Sequence, residues 1–562
     1  MTEKWVVSAK RADFYQIAQE FSIDPVVARV IRNRDVIGNE RIQKYLYGGR
    51  EELYSPWLLK DMKKAVDLLL DKIENKASIR IIGDYDIDGI MSAFILEQGL
   101  KQVGAQVDVM IPHRITDGYG LNEQLILQAS KDEKDTILTC DNGISAFEQI
   151  TLAKNLGMTV IVTDHHELLD GKVPEADAVI NPKQLECKYP FSGLCGAGVA
   201  YKLIAALYET LGKAKEAEAF LEYVAFATIG DVMDLVDENR ILVKEGMEQM
   251  RNTRNLGLQQ LMILNGIEPE KLCAYHIGFV LGPCLNASGR LDTAIRALEL
   301  LRAKNVMEAA KLAGDLKNLN DDRKALTQIG VEEAIEQVEQ TGMKNDSVYV
   351  IYLPECHESL AGIIAGRIRE KYHHPVFVLT KGEEGIKGSG RSIETYHMFE
   401  AMVKCRELFT RFGGHKMAAG LSMEEDKIEP LRKALNETCG LTEDDFIPKI
   451  TIDVPMPISY VTDSLIHQLN LLEPFGKGNE KPVFAQKDIT VVSYRIIGKN
   501  RNIISMNLSD GNGKTVNGIC FNDAEKLEGI ILSGKPFSIT YYPNINVYNG
   551  RESIQIVVSH FQ

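Results

Sequence analysis

Short apolar runs rich in β-branched residues alternate with helical patterns in the first half of this chain. In residues 61–74, 91–103 and 146–155 the apolar positions recur every three or four residues, which predicts helices. The runs between them have the length and composition of buried strands. They are Ile79 to Ile82, Val107 to Ile111, Thr136 to Thr139 and Met158 to Val162. Strands and helices that alternate at this spacing predict an α/β fold with a doubly wound, mainly parallel sheet.

Side chains that can bind cations follow three of these strands. They are Asp84, Asp86 and Asp88 after the first strand, Asp141 after the third, and Asp164, His165 and His166 after the fourth. In an extended chain, residues two apart point to the same side, so we expect the first three aspartates to lie together. The carboxyl ends of parallel strands meet at one sheet edge, where ligands bind. Buried acids without cations would be costly there, so the sequence predicts a metal site, with Asp231 as a further ligand.

Each motif taken alone has a simpler interpretation. Three alternate aspartates also occur in solvated turns and in EF-hand loops, but an EF-hand requires a glutamate at loop position 12, where this chain has Ile95. Asp141-Asn-Gly is a common turn, and adjacent histidines are often structural. Taken together, carboxylate and imidazole ligands at one sheet edge favour Mn²⁺ or Mg²⁺ over structural zinc, which prefers thiolates. Cys140 faces the other side of its strand and is expected in the core.

A glycine-rich segment, Gly193 to Gly198, precedes another predicted helix. Its N–H groups have the arrangement that binds an anion at a helix N-terminus. Its small residues also permit close packing of the helix on the sheet, and this is the interpretation that we favour.

The second half of the chain predicts a helical connector and two smaller domains. Residues 293–342 are charged and helical without a strand pattern, which predicts a long connector between domains or, alternatively, a coiled-coil arm. Strands at Val348 to Leu353 and Val376 to Thr380 begin a second α/β unit. Five short strands follow residue 450, which suits an OB-fold β-barrel. They are residues 489–492, 503–508, 516–521, 537–542 and 553–557.

Composition narrows the function classes. The chain of 562 residues carries a net charge of −15, which argues against a protein that coats nucleic acid. Residues 485–562 nevertheless contain eight Lys or Arg against six Asp or Glu, and tyrosines alternate with basic residues there, as in surfaces that stack bases. The tyrosines are Tyr494, Tyr541, Tyr542 and Tyr548, and the alternative is that half of them belong to the core. The sequence shows no signal peptide and no apolar run of membrane-spanning length, and its nine cysteines lack a CxxC pair. We therefore expect a cytoplasmic protein without membrane contact.

The motifs occur in the order of a known superfamily. Gly83 to Gly89, Asp141 to Gly143, Asp164 to His166 and Gly230 to Asp234 resemble motifs I to IV of the DHH phosphoesterases. Gly388 to Ser392 and Gly413 to Gly420 resemble the associated DHHA1 domain. Further segments narrow the resemblance to the single-strand-specific exonucleases of this superfamily, from about residue 40 to the end. They are Leu285 to Leu291, Pro474 to Asn479 and the β-rich C-terminus.

The resemblance implies a centre with two divalent ions, Mn²⁺ or Mg²⁺. The metal ligands would be Asp86, Asp88, Asp141, His165, His166 and Asp231. Asp141, His165, His166 and Asp164 would carry catalysis, and Asp84 and Asp164 would orient the ligands through hydrogen bonds. Many family members carry a histidine four residues before Asp86, where this chain has Ile82. One metal would therefore lack a protein ligand.

The resemblance also implies a substrate and partners. Residues expected to contact the substrate are Arg114, Tyr119, Arg290, Ser389, Arg391 and His415. For Arg290 a structural salt bridge is the alternative. The implied function is exonuclease digestion of single-stranded DNA, 5′ to 3′ to mononucleotides, in DNA recombination and repair, with a helicase and a single-strand DNA-binding protein as partners. Two alternatives stay open, a phosphodiesterase for short oligonucleotides or cyclic dinucleotides and a non-catalytic single-strand-binding scaffold.

These patterns together divide the chain into five parts. They are an N-terminal helical segment (1–55), a DHH phosphoesterase domain (56–240), a helical connector (241–343), a smaller α/β DHHA1 domain (344–450) and a nucleic-acid-binding OB-fold domain (451–562).

Overall fold

The N-terminal segment packs against the C-terminal domain. The structure, a computed structural model, describes residues 3–114, 117–118, 120–382, 385–511, 513–548 and 550–562. The chain starts with strand β1 (Lys4–Val7) and helices α1 (Phe14–Phe21), α2 (Pro25–Asn33) and α3 (Asn39–Tyr47). β1 pairs in parallel with residues 449–452, and Val27 and Leu46 share one core with Phe484. The segment is mainly helical as predicted, but strand β1 was not expected.

A five-stranded sheet forms the next domain. Its strands are β2 (Ser78–Ile82), β3 (Gln106–Met110), β4 (Thr136–Cys140), β5 (Thr159–Thr163) and β6 (Ala178–Ile180). Its helices are α4 (Met62–Glu74), α5 (Ile87–Gln102), α6 (Glu123–Lys131), α7 (Phe147–Asn155), α8 (Gly196–Thr210) and α9 (Leu221–Gly230). The strands are all parallel in the order β3-β2-β4-β5-β6, which confirms the doubly wound α/β fold. The strand order reverses between β2 and β4, the place where such sheets bind ligands.

Helices then lead to one long helix that joins two domains. They are α10 (Asp237–Arg251), α11 (Leu256–Leu264), α12 (Ala274–His276), a π-helical turn (Ile277–Leu281), α13 (Gly282–Leu291), α14 (Ile295–Arg302) and α15 (Val306–Gln340). The 35 residues of α15 extend over about 52 Å at a rise of about 1.5 Å per residue. Leu316 packs in the core of the domain with the parallel sheet, and Val338 packs in the core of the domain that follows α15. Both halves of α15 therefore pack into a domain core, unlike a free coiled-coil arm.

The DHHA1-like domain is a mixed sheet covered by helices. Its elements are β7 (Tyr349–Tyr352), α16 (Ala361–Tyr372), β8 (Val376–Gly382), β9 (Gly385–Arg391), α17 (Met398–Lys404), β10 (Arg411–Gly414), β11 (Ala418–Met423) and α18 (Ile428–Thr438). The strand order is β10-β11-β9-β8-β7, with only β7 and β8 parallel. Ser389 and Arg391 lie two residues apart on β9, so their side chains share one face.

The C-terminal domain is a closed barrel. Its elements are β12 (Lys449–Ile452), β13 (Val454–Pro455), α19 (Asp463–Asn470), β14 (Phe484–Ile497), β15 (Ile503–Ser509), β16 (Thr515–Cys520), α20 (Ala524–Leu532), β17 (Phe537–Tyr548) and β18 (Arg551–Phe561). A pairing between β14 and β17 closes β14–β18 into a ring, which confirms the OB-fold prediction. Helix α20 was not predicted. Tyr541 and Tyr542 are buried in the barrel core, so for these two tyrosines the core alternative holds and base stacking does not. Within the described part of the chain, no helix is both long and apolar enough to cross a membrane.

Candidate metal centre

The three aspartates after β2 meet through a strand-to-helix turn. Asp86 is the N-cap of α5, and its Oδ1 accepts hydrogen bonds from the N–H groups of Asp88 at 3.0 Å and Gly89 at 3.1 Å. A Cβ at Gly89 would lie 2.4 Å from the carbonyl oxygen of Asp84, so the chain folds back too tightly for any other residue. The extended-chain reason for grouping these aspartates was therefore wrong, because the strand ends at Ile82 and Asp88 already lies in the first helical turn.

The N-terminus of α8 binds the buried carboxylate of Asp88. The N–H of Gly196 donates to Asp88 Oδ2 at 2.6 Å, and the N–H of Ala197 donates to Oδ1 at 2.7 Å. A Cβ at Gly196 would lie 2.7 Å from the Cβ of Asp141. The glycine-rich segment thus permits close packing, as favoured, and also binds an anion, which is the protein's own carboxylate.

Asp141 directly follows β4 and has a left-handed backbone conformation, with a φ of 60°. Its N–H donates to the carbonyl oxygen of Thr163 on the neighbouring strand at 3.1 Å. The side chain of Asn142 fixes the turn by donating to the carbonyl oxygens of Ile82 at 3.1 Å and Cys140 at 2.9 Å. Aspartate tolerates this conformation better than most residues. The turn therefore directs the Asp141 carboxylate toward the strand end of β2.

Asp164 orients the two histidines that follow it. Its Oδ1 accepts hydrogen bonds from the N–H of His165 at 2.7 Å and from Nδ1 of His166 at 2.8 Å. Its Oδ2 accepts a hydrogen bond from the N–H of Ile144 at 2.9 Å. Burial favours the neutral carboxyl, but the hydrogen bond from His166 holds the pKa of Asp164 below its ordinary value. This geometry is that of a residue that fixes an imidazole from outside the metal site.

The predicted ligand atoms converge at the edge of the sheet. His165 Nε2 lies 3.0 Å from Asp141 Oδ1, 3.5 Å from Asp88 Oδ2 and 3.9 Å from Asp231 Oδ2. Asp231 follows the last turn of α9. Three groups have ligand atoms within 4.8 Å of one another: Asp141, His165 and His166; Asp88, His165 and Asp231; and Asp84, Asp86 and Asp141. Asp84, which was predicted to orient the metal ligands, thus has a ligand atom within 4.8 Å of both Asp86 and Asp141.

The chain itself compensates these charges poorly. Burial and neighbouring carboxylates raise the pKa of Asp84, Asp86 and Asp141, and they raise that of Asp231 to about 8. Burial lowers the pKa of His165, which leaves a neutral imidazole. Among the described residues, Asp84 Oδ1 is buried without a hydrogen-bond partner. Divalent cations would supply the missing positive charge, and this set of oxygen and imidazole ligands suits Mn²⁺ or Mg²⁺.

Ile82, which replaces the histidine that many family members carry, is buried by packing. Ile82 is fully buried in an apolar cluster with Leu125 and Val162. Its carbonyl oxygen is bound by Asn142. The Ile82 side chain therefore contributes to the core beside the centre and offers no ligand atom.

Arginines from both domains approach the metal centre. Arg290, on α13, donates to the carbonyl oxygen of Ser359 at 2.8 Å, across the domain boundary. Burial lowers its pKa to about 10, and the charges of Arg114, Arg323 and Arg391 act in the same direction. The guanidinium of Arg114 lies over the ring of Tyr85 at 4.9 Å. Arg323 was missed by the sequence analysis, because it is one of many charged residues on α15.

The other predicted substrate contacts lie on or near β9. Arg391 donates to Ser389 Oγ at 3.1 Å and to the carbonyl oxygen of Gly390 at 2.8 Å. Within the described part of the chain, the partners found for Arg290 and Arg391 are neutral oxygens and not carboxylates. Among these residues, this contradicts the alternative that Arg290 forms a structural salt bridge. His415 is exposed in the turn before Ala418, the residue that pairs with Arg391. Tyr119 lies outside the described residues.

Comparison with known proteins identifies the family of this chain. Family profiles match residues 78–228 (DHH family, N-terminal domain), 345–441 (DHHA1 domain) and 452–560 (RecJ OB domain). The chain is 33% identical to the single-stranded-DNA-specific exonuclease RecJ of Escherichia coli, in an alignment of 564 positions that covers 96% of each chain. The chain belongs to the RecJ family. The RecJ of Bacillus subtilis is 35% identical over 96% of this chain and 68% of its own length.

Solved RecJ structures carry the predicted metals. The crystal structure of RecJ from Thermus thermophilus in complex with Mn²⁺ superposes with a TM-score of 0.86 at 26% identity, over all of this chain and 79% of that chain. A Mg²⁺ complex of the same protein superposes with a TM-score of 0.80. The RecJ fold is therefore confirmed for this RecJ-family chain, and the predicted Mn²⁺ and Mg²⁺ are the ions that these solved relatives bind. The role of each ligand stays a prediction.

Proposed function

We propose that this chain is a metal-dependent exonuclease that hydrolyses phosphodiester bonds of single-stranded DNA. The observation that carries the proposal is the position of a carboxylate and imidazole centre beside arginines that have no carboxylate partner among the described residues. The carboxylates and imidazoles suit divalent cations, and the arginines suit phosphate oxygens. The relatives of nearly full length are all named as single-stranded-DNA-specific exonucleases.

The chain's own residues prepare the metal site. The proposed metal ligands are Asp86, Asp88, Asp141, His165, His166 and Asp231. Bound divalent cations would activate water and neutralise developing charge on the phosphate oxygens. The amides of α8 fix the Asp88 carboxylate, and Asp164 fixes the ring of His166, so these ligands need little reorganisation when metal binds. Asp84 is proposed to orient the other ligands.

The arginine group is proposed to hold the strand. Arg114, Arg290 and Arg391 would bind backbone phosphates, with Ser389 as a further donor and with Tyr119 and His415 as further contacts. Because burial penalises the charge of Arg290, an anion beside it would recover part of that cost. A cleft between two domains that admits one strand and not a duplex would explain the preference for single strands.

The finer features of the reaction follow the resemblance. We propose digestion from the 5′ end to mononucleotides, in DNA recombination and repair in the cytoplasm, with a helicase and a single-strand DNA-binding protein as partners. A helicase would supply the single strand that the cleft requires.

A digest of end-labelled oligonucleotides tests the function and its polarity. A 5′-labelled and a 3′-labelled single strand are incubated with Mn²⁺, Mg²⁺ or EDTA, beside a duplex and a dinucleotide. We expect immediate release of labelled mononucleotide from the 5′ end only, lost in EDTA and absent on the duplex. Turnover of the dinucleotide alone would indicate a small-substrate phosphodiesterase. Tight binding of the strand without cleavage would indicate a non-catalytic scaffold. The metal ligand that Ile82 does not supply would then be the explanation to test.

A further inference from the structure

Two aromatic side chains stack on each other at the protein surface. Tyr275 and Phe279 remain 62% and 71% exposed, although aromatic residues of this size are usually covered. Their ring centroids lie 5.2 Å apart, with an angle of 23° between the ring planes. They are four residues apart, so both project from the same face of the helical segment. Exposed apolar groups of this kind mark binding surfaces.

The backbone that carries the aromatic pair packs against residues that are neighbours of the proposed metal ligands in sequence. A Cβ at Gly278 would lie 3.5 Å from Ile229, two residues before Asp231. A Cβ at Gly282 would lie 3.2 Å from Ile87, which stands between Asp86 and Asp88. The first distance is ordinary contact, and the second is tighter than most Cβ contacts, so the helical segment packs directly on both isoleucines. The aromatic pair is therefore fixed relative to the proposed ligands by direct packing.

The same helical segment ends at the proposed phosphate contact. Phe279 and Arg290 are eleven residues apart, which corresponds to about 16 Å at a rise of about 1.5 Å per residue. That distance accommodates roughly five nucleotides at a stacked spacing of about 3.4 Å, and fewer in an extended strand. A strand held at Arg290 and cut at the centre is thus long enough to reach the aromatic pair.

On its other side, the pair borders the C-terminal domain. Tyr275 lines a cavity of 440 Å³ together with Phe475 and Lys481. Both of these residues lie in the segment that matches the RecJ OB domain. The ammonium group of Lys481 lies 4.0 Å from the ring centroid of Tyr542. Aromatic groups therefore continue from the aromatic pair into the domain expected to bind single strands, and Lys481 lies there close to the acidic Glu473.

We propose that Tyr275 and Phe279 form a stacking platform for bases of the strand beyond the scissile phosphate. The inference rests on the proposed exonuclease function. Every base has a π-face, so such a platform binds the strand without regard to sequence. It guides the strand from the OB-fold domain to the metal centre and keeps it in place between successive cleavages.

The test compares a long substrate with a short one. The double variant Tyr275→Ala/Phe279→Ala is assayed with Mn²⁺ on a 12-mer and on a trinucleotide, which at the stacked spacing of about 3.4 Å is too short to span the distance from Arg290. We expect the ratio of kcat/KM on the 12-mer to kcat/KM on the trinucleotide to fall about tenfold or more. Affinity for the 12-mer, measured by fluorescence anisotropy in EDTA, falls by a similar factor. Phe279→Trp retains a stacking surface and keeps the ratio.

Controls separate stacking from structural damage. Met307, at the start of α15, is 84% exposed, and Met307→Ala removes an exposed apolar side chain from a different helix. Met307→Ala leaves the ratio of kcat/KM on the two substrates unchanged. A 2-aminopurine base placed at successive positions of the 12-mer is quenched at one or two positions by the wild type, and this quenching is lost in the double variant.

The outcomes distinguish this inference from the proposed function. If the wild type cleaves neither substrate, the exonuclease proposal fails. If the wild type cleaves both and the double variant has the same ratio and the same 12-mer affinity, the platform is refuted. Equal losses on both substrates also refute it, because the pair would then support the centre's structure.

Discussion

Replacing Gly196 by alanine tests whether the centre depends on close packing of α8 against the strand ends. The added methyl group would lie 2.7 Å from Asp141 Cβ and 2.8 Å from Oδ1. Carbon atoms in contact prefer about 3.5–4.0 Å. One of the two elements must therefore move by about 1 Å, although both are packed in the core. Overpacking of this kind costs about 1–3 kcal/mol.

The chemical effect should exceed the effect on stability. A displacement of about 1 Å at a reacting site costs roughly 100-fold in rate. Gly196→Ala also disturbs the N–H that binds Asp88 at 2.6 Å, so two proposed ligands shift together. We expect kcat/KM on a 5′-labelled oligonucleotide with Mn²⁺ to fall roughly 100-fold, and Mn²⁺ affinity, measured by calorimetry, to fall with it.

A neighbouring glycine provides the matched control. A Cβ at Gly198, on the same helix, would lie 3.4 Å from Leu194, which is ordinary contact. Gly198→Ala should therefore keep activity and gain up to about 1 kcal/mol of stability through higher helix propensity. If Gly196→Ala matched Gly198→Ala in both rate and Mn²⁺ affinity, the packing argument for the centre would be refuted.

Three further substitutions test the centre, the phosphate contact and the core. Asp141→Ala should abolish cleavage while leaving the circular dichroism spectrum unchanged, and retained cleavage would contradict its assignment as a ligand. Arg391→Gln should raise KM about tenfold with little change in kcat, because a hydrogen bond to a charged group contributes about 1.5–3 kcal/mol; a fall in kcat alone would contradict a binding role. Glu238→Gln should lower the free energy of unfolding, measured with urea, by about 3–5 kcal/mol, because Lys202, fully buried 2.6 Å from the carboxylate, loses its countercharge. Glu245→Gln breaks only the exposed pair with Arg50 and should cost less than about 1 kcal/mol; equal losses for the two would contradict the reasoning.

The sequence predicted those features that depend on local pattern. Strand β4 and its turn were recognised because the strand-like run Thr136 to Thr139 is followed by Cys140 and Asp141. The same reasoning placed Asp164 at the end of β5. Parallel pairing then brings such strand ends together without any knowledge of side-chain contacts.

Features that depend on long-range contacts could not be predicted in this way. β1 pairs with a strand about 440 residues later, and no local signal in Lys4 to Val7 indicates that partner. The amides that bind Asp88 come from Gly196 and Ala197, and a glycine-rich helix start is equally consistent with packing alone. Arg323 becomes part of the arginine group only because α15 crosses from one domain core to the other.

The electrostatics of the centre explain how one sheet edge can hold so many acids. N–H groups satisfy Asp88 and Asp164, so those carboxylates tolerate burial. For Asp84, Asp141 and Asp231 the raised pKa means that the folded chain binds protons more tightly than the unfolded chain does. The contribution of these carboxyls to the stability of the metal-free protein therefore falls as the pH rises, for Asp231 between its ordinary pKa of 3.8 and about 8. Bound cations would displace these protons and remove the penalty, so we expect metal to stabilise the protein more as the pH rises across this range.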